Sequence, residues 1–425
     1  MFREFMIHDI ARIIGGEIRD RDLELVRDVS IHSQTTMPGH LFFALKGEHT
    51  DGHAYVKDAF AHGAIAAVVQ QYTNSGPEIL VSDTLFALGS LAQEYRSLFH
   101  PKTIGITGTN GKTTVKNLVS AILKKKYQIL HTEKNYNSLI GLPLTLLKLS
   151  GDEDFLVVEM GTNSPGEIER LCEIARPSIG VITNIGPGHL EGLNSIEGIL
   201  KEKLSLVSCL PDDGFALLGD GVGEVGRKNI LRFSLDMLEA IQLSETGSCF
   251  IYQGDTFSTP LLGIANVYNC LAALCLTSQL GVRPEEQGEA IAEVHAEPGR
   301  LEPLHHNGLF IINDTYNANP VSMKNSIDFV ATLKRDKIFI LGDMRELGVR
   351  SKALHRDIGE YAKKHCDMLL TCGDEARLYG GLHFRTKDTL VRYIIDNLNG
   401  EEAVLVKASR TLQFEEIVNE IVRRY

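Results

Sequence analysis

The stretch "KTIGITGTNGKTTVKNLVSAILKKK", residues 102–126, constrains the fold more than any other part of the chain. A short apolar run, a glycine-rich turn and an immediate helical pattern predict a buried strand, a tight loop and a helix. Such a loop aims consecutive backbone N–H groups outward at the positive end of a helix, which makes an anion site suited to phosphate. Gly108 and Gly111 allow backbone shapes closed to other residues, Lys112 can reach terminal phosphates, and the Thr113 hydroxyl can ligate Mg²⁺. The spacing departs from the general pattern G-x-x-x-x-G-K-[ST], because Ile106 stands where its first glycine belongs. The competing reading is a glycine-rich turn with a surface lysine.

Strand–loop–helix units recur on both sides of this stretch. "FLVVEM" and "IGVITNI" are buried strands followed by loops and helices, which predicts a doubly wound parallel sheet. Before Pro101, "HLFFAL", "AIAAVV" and "EILVS" alternate with helical patterns. After "AEPGRLEP", "GLFIIND", "KIFILGD", "MLLTCG" and "AVLVKAS" alternate with helices beginning near Ser322, Ser351, Thr386 and Gln413. The expected fold class is α/β in three domains. A small α/β unit at 1–100 and a Rossmann-like unit at 299–425 flank a central phosphate-loop-type parallel sheet at 101–298, and 425 residues suit that number.

A formal net charge of -12 argues against a nucleic-acid partner, since gripping a polyanion needs concentrated Lys and Arg. Seven cysteines without a C-x-x-C pair fit reduced thiols. The opening "MFREFMIHDIARIIGGEI" reads as an amphipathic helix ended by Gly15-Gly16 rather than a signal peptide, and no apolar run reaches spanning length. The expectation is a cytoplasmic protein without a membrane span.

Glu159 ends the strand "FLVVEM" and His189 lies in the loop after "VITNI", so both fall at carboxyl ends of parallel strands, where open α/β sheets bind ligands. Beside a lysine–threonine loop, a carboxylate and an imidazole suit Mg²⁺-assisted phosphoryl transfer.

Several motifs together resemble the Mur ligase family over essentially the whole chain: G-T-N-G-K-T as phosphate loop, then "NYNSLIGLPLTLL", "VVEMGTN", "ITNIGPGHLEG" and "NDTYNANP" in family order. "DTYNANP" at 314–320 and "GDMRELG" at 342–348, with Ser351, His355 and Gly359, resemble the branch that joins D-alanyl-D-alanine to UDP-N-acetylmuramoyl-tripeptide. The Asp-Asn-Pro-Arg type motif of the branch adding the third stem residue is absent, and the same signatures weigh against a folylpolyglutamate synthetase-like ligase.

The resemblance implies ATP and two Mg²⁺ ions as cofactors, with the nucleotide on Gly108, Thr109, Asn110, Gly111, Lys112, Thr113 and Thr114. Thr113, Glu159 and His189 are the implied metal ligands. Lys203 is implied as a carbamylated lysine facing the second metal, with Lys201 as the other candidate. By the same resemblance Asn266 sits near adenine, Arg300 reaches the γ-phosphate, Asp314 contacts ribose and Tyr316 lies close to the nucleotide. Asn135, Asn137 and Ser138 are implied contacts of the UDP-linked substrate, and Lys407, Ser409 and Arg410 of the dipeptide. The first domain is implied to hold the uridine end, although His32-Ser33-Gln34 stands where relatives have Asp-Ser-Arg. A monomer is expected.

Overall fold

The computed structural model describes residues 5–19, 24–47, 50–188 and 190–425. At its centre six parallel strands run in the order Ile230–Arg232, Phe215–Asp220, Ile179–Asn184, Lys102–Thr107, Phe155–Glu159, Ile129–His131. Ile, Val and Leu fill these strands because helices cover both faces of the sheet. Lys102–Thr107 lies between Ile179–Asn184 and Phe155–Glu159, so the chain leaves it toward one side and later returns on the other. The carboxyl ends at Thr107, Glu159 and Asn184 are therefore neighbours at a topological switch point.

The helix Lys112–Lys124 follows the phosphate loop and packs on Ile264–Gln279. Every residue from Asn266 to Thr277 is buried, which is why that helix is apolar on nearly all sides. Between them stands an element the sequence reading did not anticipate, a three-stranded antiparallel meander of Leu238–Ser244, Gly247–Tyr252 and Asp255–Thr259. Its signal was present in alternating apolar positions broken by the Glu245-Thr246 and Gln253-Gly254 turns.

The N-terminal unit holds a five-stranded sheet in the order Glu17–Arg19, Glu78–Leu80, Ala66–Val69, His40–Phe43, Asp28–Ser30, parallel except for Glu17–Arg19. The expected amphipathic helix forms as Ile7–Ile14 and stops at Gly15, whose φ of 66° lets its N–H reach the carbonyls of Ala11 and Arg12. The helix Thr84–Ser97 is capped by Asp83, which accepts the N–H groups of Leu85 and Phe86. Its Leu88, Leu91 and Tyr95 join Leu41 and Phe43 on one side and Leu142, Leu146 and Ile174 on the other in a single apolar cluster. The first two units thus share a core.

The C-terminal sheet runs Glu302–His306, Leu309–Asp314, Ala403–Lys407, Lys337–Leu341, Met368–Cys372, Leu382–Phe384, with only its first strand antiparallel. It meets the central unit through apolar and polar contacts alike: Leu262 joins its core, and Leu354 packs against Leu190, Leu193 and Ile199. Arg335 meets Glu245 through two hydrogen bonds of 2.7 and 3.0 Å, and Asn319 donates to Asn110 at 2.7 Å.

Candidate active site

The phosphate loop is fixed from beneath by the end of the neighbouring strand. Thr109 N–H donates to the Asn184 carbonyl at 3.0 Å, Asn110 N–H to Asn184 Oδ1 at 3.0 Å, and Thr183 Oγ1 to the Asn110 carbonyl at 2.6 Å. Both glycines are obligatory here. A Cβ on Gly108, at φ 149°, would fall 1.9 Å from Thr183 Oγ1, and one on Gly111, at φ 81°, 2.2 Å from Asn269 Oδ1. Strain of this kind costs about 1–3 kcal/mol. Gly108→Ala is therefore expected to weaken ATP binding by roughly 5- to 150-fold, measured by titration calorimetry; wild-type affinity in the variant would contradict this geometry.

Lys112 Nζ folds back on its own loop, donating to the carbonyls of Gly108 at 2.9 Å and Thr109 at 3.2 Å. Burial pushes its amine below the usual value, and the Glu159 carboxylate opposes that shift. Glu159 is 2% exposed; Asn137 Nδ2 donates to its Oε1 at 2.7 Å, while Oε2 is buried without a hydrogen-bond partner among the described residues. An orphaned buried carboxylate oxygen is expensive unless a cation meets it.

The C-terminal unit closes the cleft. Arg300 Nη2 donates to Thr113 Oγ1 at 3.2 Å, and its guanidinium lies 3.9 Å from the Tyr316 ring centroid. Asn319 Nδ2 donates to Asn110 Oδ1 at 2.7 Å, while Asn319 Oδ1 caps the helix Pro320–Ala331 through Ser322 N–H. Together these walls enclose a cleft of about 310 Å³. It is lined by Thr109 to Thr114, Asn137, Ser138, Glu159, Asn266, Arg300, Asp314 and Tyr316, with Arg345 and Lys407 from the C-terminal unit.

Family models described as Mur ligase family catalytic domain, Mur ligase middle domain and Mur ligase glutamate ligase domain match residues 26–96, 106–277 and 299–410. The UDP-N-acetylmuramoyl-tripeptide--D-alanyl-D-alanine ligase of Bacillus subtilis (strain 168) is 33% identical over 98% of this chain and 98% of its own length. The chain belongs to the Mur ligase family. Among solved structures, MurF from Acinetobacter baumannii superposes with a TM-score of 0.94 at 26% identity, covering 100% of both chains. The MurF ligase of Thermotoga maritima in complex with ADP gives 0.85 at 28% identity, covering 94% of this chain and 97% of that one.

In this Mur ligase the residues singled out from sequence are distributed unevenly around the cleft. Lys112, Thr113, Glu159, Asn266, Arg300, Asp314 and Tyr316 all line it, as do Asn137 and Ser138. Asn135 is exposed and outside the lining. Gly108 lies beneath the loop, and His189 falls outside the described residues. Asn266 is buried, donating to the Leu262 carbonyl at 2.9 Å and accepting from Asn269 at 3.1 Å. Asp314 is tied internally: it accepts Leu301 N–H at 3.1 Å and pairs with Lys407 Nζ at 2.6 Å. Ser409 is buried and accepts Arg345 N–H at 2.8 Å; Arg410 pairs with Glu415 at 2.8 Å. Ser33 is buried in a short turn, and Gln34 beside it is exposed.

Lys203 departs most from the behaviour of an ordinary helix lysine. It is 1% exposed on the helix Ile196–Ser208, whereas Lys201 is exposed. Burial pushes its amine well below the usual lysine value, the Lys112 charge adds to this, and Glu202 opposes. Glu202 itself accepts Gly166 N–H at 2.7 Å and Ile168 N–H at 2.8 Å, locking the loop that carries Thr162 and Asn163 into the cleft. Sequence reasoning missed Glu202, Thr183, Asn184 and Lys116. The last is 1% exposed and donates to the Thr132 carbonyl at 2.7 Å. Its position one turn beyond Lys112 was the available signal.

Proposed function

We infer that the chain is an ATP-dependent, ADP-forming amide ligase that joins D-alanyl-D-alanine to the terminal carboxylate of UDP-N-acetylmuramoyl-tripeptide, a step of peptidoglycan precursor synthesis. The full-length relationship to a ligase named for that activity carries this reading. The domain assignment belongs to it as well: 1–100 for the UDP-sugar, 101–298 for ATP, 299–425 for the dipeptide.

The chemistry explains the cleft. A carboxylate becomes an electrophile only when one of its oxygens becomes a leaving group. The substrate carboxylate attacks the γ-phosphorus of ATP, ADP departs, and an acyl phosphate forms. The amine of the dipeptide then attacks the carbonyl carbon, phosphate is expelled, and the amine proton is lost as the amide forms. Lys112 and the loop N–H groups hold the β- and γ-phosphates, and Arg300 adds charge where the transferred group passes. Most of the task is aligning two anions and offsetting their repulsion.

Glu159, with its partnerless Oε2, and the Thr113 hydroxyl fit a Mg²⁺ ion, and His189 completes the proposed donors from sequence alone. When bound, Mg²⁺ supplies positive charge against the phosphate oxygens. Lys203 Nζ is proposed to take up CO₂ with loss of a proton, giving a carbamate. Burial lowers its basicity and so raises the share of the neutral, nucleophilic amine that this addition needs. Exposed Lys201 has no such environment.

The assay that tests the function is phosphate release from ATP with each substrate omitted in turn, run with tripeptides ending in diaminopimelate and in lysine. Release is expected only with tripeptide and D-alanyl-D-alanine together. Equal release without the dipeptide would remove the dipeptide from the reaction, and activity with a single amino acid instead would point to the third-residue ligase.

A further inference from the structure

The incoming dipeptide has two ends, and the contacts expected for it from sequence are already engaged: Lys407 with Asp314, Ser409 with Arg345 N–H and Arg410 with Glu415. Its amine must reach the activated carbonyl. Its far carboxylate, ionised at neutral pH, must be received within about 7 Å, the span of two extended residues, and so inside the same cleft.

Four basic side chains line that cleft: Lys112, Arg300, Arg345 and Lys407. Lys112 and Arg300 belong to the phosphate loop's surroundings, and Lys407 is 1% exposed and bound to Asp314. Arg345 differs, because its side chain is 48% exposed. Its partner Asp343, 3.1 Å away, is fully buried and already accepts backbone N–H groups of Asp374, Glu375 and Ala376 at 3.2, 3.0 and 2.7 Å. A second acid, Asp374, stands 3.9 Å off and 93% exposed, where an ion pair is weak. Asp343 thus anchors one side of the guanidinium through Nη2, and a guanidinium has five N–H donors to place.

The backbone beneath Arg345 is rigid. Arg345 N–H donates to Ser409 Oγ at 2.8 Å, Met344 N–H to His355 Nε2 at 3.0 Å, and Glu191 N–H to the Glu346 carbonyl at 3.2 Å. Ser409 and His355 are buried. A fixed loop thus presents a half-exposed planar cation, anchored on Asp343, to a cleft whose other cations are tied to the phosphate loop or to Asp314. We propose that Arg345 is the specificity-determining residue that receives the C-terminal carboxylate of the incoming dipeptide. The inference rests on the functional reading above. It makes a free carboxylate, rather than the side chain beside it, the feature by which the acceptor is selected.

The test is steady-state kinetics with D-alanyl-D-alanine and its C-terminal amide, on wild type, Arg345→Gln and Arg345→Lys. For Arg345→Gln the KM for the dipeptide is expected to rise roughly 10- to 100-fold, with the KM values for ATP and UDP-tripeptide unchanged. Wild type should lose a similar factor with the amide, Arg345→Gln should scarcely distinguish acid from amide, and Arg345→Lys should fall between. Wild type using the amide as well as the acid would overturn the proposal without any variant needing to fold, and so would undiminished discrimination in Arg345→Gln. Absence of any dipeptide-dependent turnover in wild type would instead overturn the functional reading, and this inference with it.

Discussion

Replacing Lys203 with alanine is expected to lower ligation about 10³-fold, a loss of the size seen when a single charge-stabilising group is removed from a reaction centre. Formate or acetate at tens of millimolar is expected to restore part of the activity, because the proposed role belongs to an anion and not to an amine. Full activity in the variant would make Lys203 the wrong lysine, and a loss that no small carboxylate relieves would remove the carbamate. Stability supplies a second readout with a definite sign. A lysine whose basicity is depressed by burial binds its proton more weakly in the folded than in the unfolded chain. It therefore lowers stability at neutral pH, and that penalty fades as pH rises toward the unfolded value of about 10.4. In CO₂-free buffer, Lys203→Met should melt higher than wild type at pH 7, with the gap closing by pH 10. A gap independent of pH would mean that the methionine gains by packing alone.

Much of this molecule was legible because its signals are local. Strands such as Phe155–Glu159 and Ala403–Lys407 are short apolar runs buried on both faces, and the loop before Lys112 announces itself by glycines whose side chains would strike Thr183 and Asn269. Positions at strand ends followed from topology, which is how Glu159 could be found before any geometry was known. What could not be read depends on which face meets which partner. In "ILKEKLSLV" the helical period separates Lys201, Glu202 and Lys203 by one position each, and nothing local says that Lys203 turns inward while Lys201 meets water. The shared core of the first two units was hidden for a related reason. The pattern of Thr84–Ser97 promises an apolar face, but only the fold shows that it meets Leu142 and Ile174 of the next unit. Asp314 and Lys407 lie 93 residues apart, and their ion pair exists only because Leu309–Asp314 and Ala403–Lys407 are adjacent parallel strands.

Arg300→Ala is expected to lower kcat about 10³-fold while leaving ATP binding within a few-fold of wild type, the pattern of an arginine that acts on transferring phosphoryl charge more than on bound nucleotide. The side chain starts just before the C-terminal unit's first strand and ends on Thr113 of the phosphate loop, so it bridges the two units. Its place on Thr113 exists where the C-terminal unit meets the phosphate loop, and that unit is the one proposed to hold the dipeptide. An arginine delivered this way ties phosphoryl transfer to the presence of the acceptor side of the cleft and limits futile hydrolysis. Arg300→Lys should recover little, because stacking at 3.9 Å on Tyr316 needs a planar cation and a lysine offers a point charge. Tyr316→Ala should then reproduce part of the kcat loss by freeing the guanidinium from its platform. Single-turnover measurements separate the steps. If Arg300→Ala binds ATP far more weakly but transfers phosphate at the wild-type rate once saturated, the arginine serves the ground state, and closure has no share in the chemistry.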